Sequence, residues 1–367
     1  MTKKILKTLV VIGTRPNFIK VTRFKEVAEA HANIELKIVH TGQHFDTNMA
    51  DVFFQQFNLT PDYFLNVGQG SASTQIGEIM VKLEDLMLNT FQPDLLMVVG
   101  DVNSTLAAAI AGAKAKIPVA HIESGLRSFD KSMPEEFNRI VTDQVADLYF
   151  ITEPSGKENL LRENVEPKKM HMVGNTMIDT LAVFEKQIES SDILEKLDIR
   201  SHGFVLTTIH RPATVDIRDG LEKLIQLFEM ISRKHKVVFP IHPRTVNNLK
   251  NFGLYDQLLS NRSLITTTPL DYFAFQKLIK HCRYIITDSG GIQEESTFLR
   301  VPCLTLRNNT ERPVTCSIGT NTLVPFDLPQ IEKYITQIEN GSYKKGEIPA
   351  LWDGHATERI FDVLAKL

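Results

Sequence analysis

The chain has 367 residues, more than one ordinary core holds, and the length fits two to three domains. Lys and Arg number 41 against 44 Asp and Glu, a net charge of −3, so no broad basic surface is available for nucleic acid or an anionic membrane. An apolar fraction of 43% with 23% charged residues excludes a disordered or collagen-like chain, and no apolar run reaches the ~18–20 residues of a membrane span.

The opening MTKKILKTLVVIGTRP resembles a signal peptide only superficially. Its apolar run is short, ends in Gly-Thr-Arg-Pro and lacks a small-residue cleavage site, so it reads as a buried first strand. Further strand-like runs follow at 35–42, 93–101, 117–125, 146–152 and 171–175, with the helical pattern STLAAAIAGAKAKI at 104–117. The second half repeats the scheme with runs at 203–211, 236–243, 263–268, 284–291 and 301–307. Runs that are apolar on both faces and alternate with helices predict parallel sheets covered on both sides, a doubly wound α/β architecture. Residues 176–202 are charged and lack strand-like runs, which sets the domain boundary near 175. The expected domains are 1–175 and 176–354, with the helical closing segment 355–367 packing back on the first. The three cysteines, Cys282, Cys303 and Cys316, are odd in number and form no C-x-x-C pair. They predict neither a disulfide framework nor structural zinc, and suit a reducing cytoplasm.

Polar residues follow the apolar runs directly: Gly13-Thr14-Arg15, Thr41-Gly42-Gln43-His44, Gly100-Asp101, His121-Ile122-Glu123, His210-Arg211, His242-Pro243-Arg244 and Asp288-Ser289-Gly290-Gly291. Open α/β sheets bind ligands beyond the carboxyl ends of their strands, so these ends predict a cleft between two domains facing each other. The turn Ser289-Gly290-Gly291 before a helix suits a phosphate, whose charge the free helix N–H groups favour; it also suits an ordinary capped turn. Arg15 and Lys20 follow the first strand, where they can neutralise a diphosphate or stand as solvated cations. The segment is neither a G-x-G-x-x-G fingerprint nor a P-loop, which lowers the odds of NAD or ATP. Arg312 can reach the same anion, or the polar run 307–312 is only a loop.

Asp101 and Glu123 end buried strands, where acids serve as ligands or partners in a cleft. Glu135 and Glu136 open a helix, where the dipole favours acids in any case. His44, His121, His210 and His242 sit at strand ends and suit hydrogen bonding to phosphate or proton transfer; no zinc-type His spacing is present, so no metal is expected. Phe275 precedes the 284–291 run, where it can stack on a base or fill the core.

In chain order the segments GTRPNFIK, TGQHFDTNM, GDVNSTLAAA, HIESGLRS, MPEEFNRIVTDQVAD, PIHP, DSGGIQEE, TERPVT and GTN resemble the non-hydrolysing UDP-N-acetylglucosamine 2-epimerase family from residue 12 to about 323. The resemblance implies two Rossmann-like domains of glycosyltransferase-B type, a homodimer, no cofactor, and a UDP-sugar held mainly by the second domain. It implies catalytic roles for Asp101, Glu123, Glu135 and His210. It implies UDP-sugar contacts at Arg15, Lys20, Phe275, Ser289, Gly290, Gly291, Glu295 and Arg312, with His210 also touching the nucleotide and Glu295 the ribose. A regulatory second UDP-sugar site of some bacterial members matches Gln43, His44, Glu136, Arg211 and His242. The implied activity interconverts UDP-GlcNAc and UDP-ManNAc for surface polysaccharide synthesis. The alternatives are a 2-epimerase of a modified UDP-HexNAc, such as the diacetamido uronic acid sugar, and a hydrolysing epimerase that releases ManNAc and UDP. Two departures stand out. Asn17 occupies a position where the family often has Glu, and Pro212-Ala213-Thr214 replace the usual Arg/Ala-Glu-Asn after His210-Arg211.

Overall fold

The computed structural model describes residues 4–42, 54 and 56–367. It divides into two compact units: Met1–Val183 with Ala350–Leu367, and Phe184–Pro349.

In the first unit the strands are β1 (Leu6–Ile12), β2 (Ile34–His40), β3 (Tyr63–Phe64), β4 (Leu95–Val99), β5 (Val119–Ile122), β6 (Leu148–Ile151) and β7 (Met170–Met172). They form one sheet in the order β3-β2-β1-β4-β5-β6-β7, parallel at every pairing. Val10 of β1 pairs with Ile38 of β2 on one side and Met97 of β4 on the other. Helices cover both faces, so Leu9, Val10, Val11 and Ile12 are all buried and the strand reads as an unbroken apolar run. The strand order reverses between β1 and β4, and the polar ends Gly13–Arg15 and Gly100–Asp101 follow these two strands.

The second unit carries β8 (Phe204–Thr208), β9 (Lys236–Pro240), β10 (Leu264–Thr267), β11 (Ile285–Thr287), β12 (Cys303–Thr305) and β13 (Asn321–Leu323). The order is β10-β9-β8-β11-β12-β13, again all parallel. Alternate residues of β8 serve different cores. Val205 packs with Leu224, Phe228 and Phe239, whereas Phe204 and Leu206 join Leu278, Ile285 and Ile292. Here the order reverses between β8 and β11, which are followed by His210-Arg211 and Asp288-Ser289.

The chain leaves the first unit one helix later than the composition break suggests. The helix Thr176–Val183 is charged only at Asp179, and that carboxylate is turned inward. Asp179 accepts from the backbone N–H of Ala356 at 3.0 Å and of Thr357 at 2.6 Å, so it caps the closing helix Ala356–Leu364. Thr180 donates to the carbonyl of Ile19 at 2.6 Å. The division therefore falls after Val183 rather than near 175. The closing helix is held by Phe361, whose ring meets Phe24 edge-on at 5.5 Å, and the preceding Trp352 donates its indole N–H to the Thr152 carbonyl at 3.1 Å.

Candidate active site

In the first unit the two acids that follow β4 and β5 are each paired with a cation. The Glu123 carboxylate lies 2.5 Å from Lys20 Nζ, and both side chains are nearly closed to water. Lys20 reaches it because the helix Arg15–Lys20 starts at Pro16, directly after β1, and buries its last turn. Glu123 itself has φ of +68°, a left-handed conformation that a non-glycine residue holds only where its surroundings impose it. Gly100, at φ +69°, leaves room beside this pair: a Cβ there would stand 3.3 Å from Lys20 Nζ. Asp101 pairs with the guanidinium of Arg139, and Asn138 donates to the Asp101 carbonyl at 2.8 Å. Asn17 donates to the Val99 carbonyl at 2.9 Å and accepts from the Thr14 hydroxyl at 3.1 Å, tying the ends of β1 and β4 together.

The helix Pro134–Val145 supplies the floor under these ends. Glu136, Arg139 and Asp143, at i, i+3 and i+7, share its buried face. Glu136 accepts from Ser128 N–H at 2.8 Å, Ser128 hydroxyl at 2.9 Å, Phe129 N–H at 2.9 Å and Arg139 at 3.1 Å. Its oxygens thus fix the 128–129 turn. Glu135, one residue earlier, stands exposed in the first turn. Asp143 is fully buried, 2.6 Å from His121 Nδ1 and 2.7 Å from Arg127, and accepts the Gly125 N–H at 3.0 Å. Burial alone would raise its pKa, but the His121 and Arg127 charges overcome that and hold it below the usual carboxylate range. His121 is also fully buried, with Nε2 2.8 Å from the Gly100 carbonyl. This corrects the expectation of a phosphate-binding or proton-transferring His121: both its nitrogens are used inside the fold.

In the second unit Ser289 is the N-cap residue of the helix Gly290–Phe298, and its N–H donates to the Thr287 hydroxyl at 3.0 Å. The first N–H groups of that helix lack intrahelical partners, as at any helix start. Gly290 is required by a close approach: a Cβ there would stand 2.8 Å from Glu311 Oε1. Arg312 lies just behind, 2.5 Å from Glu311 and 2.6 Å from Glu294, while Arg307 donates to Glu311 at 3.0 Å. Two arginines and two glutamates thus balance in a buried cluster beneath the turn. Glu295, on the same helix, accepts from Gln276 at 2.6 Å. Phe275 is half-buried and packs on the core that includes Leu278 and Ile292.

His210 and Arg211 follow β8 and face the end of β11. Asp288, buried, accepts the backbone N–H of both at 2.8 Å, and Arg211 Nε donates to the Asp288 carbonyl at 2.9 Å. His210 Nδ1 is 3.0 Å from the second Asp288 oxygen. Burial pushes the Asp288 pKa upward, but His210 and the two N–H groups outweigh it and the carboxyl sits below its ordinary value. The His242 ring lies 6.2 Å from that of His210. His242 Nδ1 accepts the Arg244 N–H at 3.1 Å, and burial followed by the charges of His210 and Arg244 lowers its pKa. Pro212–Val215 forms a short helix whose N-cap residue is Arg211.

Gln43 and His44 lie outside the described residues. Within the first unit the structure brings Lys20, Asp101 and Glu123 to neighbouring strand ends, and within the second His210, Arg211 and Ser289–Gly291. Asp143, Asp288, Glu294 and Glu311 were not singled out from the sequence as site residues. The spacing of Glu136, Arg139 and Asp143 along one helix face was a readable signal for Asp143. An acid ending the apolar run at Asp288 was a readable signal for that residue. Among the described residues no group of three or more His, Cys, Asp or Glu side chains gathers to hold a metal ion.

The family model for UDP-N-acetylglucosamine 2-epimerase matches residues 26–365. The chain belongs to the UDP-N-acetylglucosamine 2-epimerase family, and is an enzyme of that family. The UDP-N-acetylglucosamine 2-epimerase of Methanocaldococcus jannaschii is 39% identical over 366 residues, spanning 98% of this chain and 99% of the relative. The UDP-2,3-diacetamido-2,3-dideoxy-D-glucuronate 2-epimerase of Pseudomonas aeruginosa is 36% identical over 367 residues, 99% of this chain and all of the relative. Among solved structures, the M. jannaschii enzyme in complex with UDP-GlcNAc and UDP superposes with a TM-score of 0.89 at 37% identity, covering 99% of this chain and 100% of that one. The Neisseria meningitidis enzyme bound to UDP-GlcNAc gives 0.89 at 31% identity, with the same coverage. These neighbours share the glycosyltransferase-B-type architecture of two parallel α/β sheets. No helix of the described residues is long and apolar enough to cross a membrane.

Proposed function

We propose that this chain is a non-hydrolysing 2-epimerase that interconverts UDP-GlcNAc and UDP-ManNAc by eliminating UDP and adding it back. The C2 proton of a hexosamine has no carbonyl beside it and is barely acidic. If UDP departs from C1 first, positive charge develops there and C2–H becomes removable, giving 2-acetamidoglucal and UDP. Re-addition of UDP with a proton delivered to the other face of C2 completes the exchange. These steps balance without an oxidant, so the reading calls for no cofactor.

The reading divides the work between the units. The helix start at Ser289-Gly290-Gly291 receives the diphosphate, with Arg312 as a cation, and Arg15 is a further UDP-sugar contact. Glu295 takes the ribose hydroxyls and Phe275 the base. Asp101, Glu123, Glu135 and His210 supply the acid and base functions. Lys20 enters as the counter-charge of Glu123 rather than as a free phosphate ligand. Arg211, Glu136 and His242, with Gln43 and His44, form the regulatory candidate, in which the internally saturated Glu136 acts by holding the 128–129 turn. The protein works as a cytoplasmic homodimer and supplies surface polysaccharide precursors. The buried, unpaired thiols of Cys282 and Cys303 support a reducing compartment.

The observation that carries the proposal is the buried, left-handed Glu123 paired with Lys20 at the end of β5, next to the β4 end that holds Asp101. Strain of this kind persists where surroundings over-determine it, as at active sites. The test is incubation with UDP-GlcNAc in deuterated water, followed by proton NMR. Deuterium at C2 together with UDP-ManNAc is the expected result. Free ManNAc plus UDP would replace the proposal with the hydrolysing reaction. Inertness toward UDP-GlcNAc with turnover of the diacetamido uronic acid sugar would move it to the activity for which the P. aeruginosa relative is named.

A further inference from the structure

We propose that Asp288 is a positioning residue that fixes the imidazole of His210 with its Nδ1 proton turned inward, so that Nε2 is the atom presented to the substrate. The inference rests on the reading that His210 serves epimerisation, and it concerns a residue whose carboxylate meets the backbone of His210 and Arg211 and the ring of His210.

The geometry is specific. One Asp288 oxygen, Oδ2, is committed to the backbone N–H groups of His210 and Arg211, each at 2.8 Å. The other, Oδ1, makes no well-directed hydrogen bond but lies 3.0 Å from His210 Nδ1, its close polar neighbour among the described residues. A carboxylate only accepts and repels a lone pair, so this contact favours the Nδ1–H form of the neutral ring. No described residue takes Nε2, and 47% of the His210 side chain is exposed while Asp288 is 1% exposed. The same residue also accepts Arg211 Nε on its main-chain carbonyl at 2.9 Å, and its chain neighbour is Ser289 at the helix start. Asp288 therefore locks the turn after β8 to the turn after β11, and with it the aim of His210 relative to the anion site of the same unit.

The substitution Asp288→Asn tests this with little change of shape. The two backbone N–H groups still need an acceptor, so the amide oxygen takes the place of Oδ2. The amide NH2 then faces Nδ1 and donates to it, and the neutral ring must carry its proton on Nε2. We expect kcat to fall by about 100-fold or more, the scale of a lost acid–base function, with KM changed by less than about threefold. Two-bond 15N–1H correlations of the imidazole, identified by its absence in His210→Gln, should show Nδ1–H in the wild type and Nε2–H in Asp288→Asn. In the His210→Gln background, adding Asp288→Asn should cost less than about twofold more, because its effect runs through the imidazole.

Wild-type-like kcat in Asp288→Asn, or losses that multiply in the double variant, would overturn the proposal. So would an Nε2–H wild-type ring, a measurement that holds even if Asp288→Asn does not fold. A wild type inert toward UDP-HexNAc substrates would sink the epimerase reading alone, since the tautomer still decides the role of Asp288.

Discussion

The ammonium of Lys20 and the carboxylate of Glu123 lie 2.5 Å apart with 5% and 2% of their side chains exposed, so removing either charge takes this close counter-charge from the other in a site nearly closed to water. Breaking one partner of such a pair costs about 3–5 kcal/mol. Lys20→Met should therefore lower the melting temperature markedly, as read by calorimetry. Lys20→Met combined with Glu123→Gln should recover at least half of the lost stability and remain inactive. An unchanged melting temperature in the single variant would mean the pair is not buried as described.

Asp101 is a different case, since its carboxyl is partly open and Arg139 also bonds to Glu136. Asp101→Asn should keep UDP affinity, measured by calorimetric titration, while turnover falls about 100-fold or more. Retained turnover in a folded protein would remove Asp101 from the chemistry.

Gly290→Ala forces a methyl group toward Glu311, which is already held by Arg307 and Arg312. The displaced carboxylate disturbs the charge balance beneath the helix start. UDP affinity should drop by about tenfold, roughly 1.4 kcal/mol. Unaltered affinity would place the diphosphate elsewhere.

His40 gives a prediction about pH and stability. It is buried against the rings of Phe54 and Phe64, and its Nδ1 accepts the Gly42 N–H at 3.0 Å. Burial lowers its pKa to about 4. The unfolded chain, with an ordinary imidazole near 6.5, binds the proton first as pH falls. This residue's contribution is therefore full above pH ~6.5 and declines toward pH ~4, by on the order of 3 kcal/mol. Urea unfolding at pH 7 and pH 4.5 should show a steeper loss for the wild type than for His40→Gln. Parallel losses would contradict it.

Much of the fold was readable because parallel strands covered on both faces leave unbroken apolar runs, as in LVVI of β1 and VVF of β9. The strands β3 and β13 escaped for the converse reason. Tyr63–Phe64 is two residues long, and Asn321–Leu323 begins on an asparagine whose amide donates to Gln293 at 2.9 Å. Short edge strands have too few residues for a period to show. At the site, the sequence pointed to the strand ends that carry Asp101, Glu123 and His210. It could not pair them. Lys20 read as a phosphate cation because its partner is 103 positions away. Asp288 and Asp143 read as motif letters because their histidines lie 78 and 22 positions away in other elements or loops. Pairing across a fold is set by sheet order, which no local pattern records.

The first unit is made of two stretches of chain, with Phe184–Pro349 between them. A ribosome delivers residues in order, so the whole inserted unit emerges before the helix Ala356–Leu364 that the first unit needs. Until then Asp179 has no N–H groups to cap and Phe24 lacks the ring it packs against. The amino-terminal unit is thus the later of the two to mature. A nascent chain halted at Pro349 should yield a protease-resistant 184–349 fragment beside a cleavable amino-terminal half, and equal resistance of both would reverse that order.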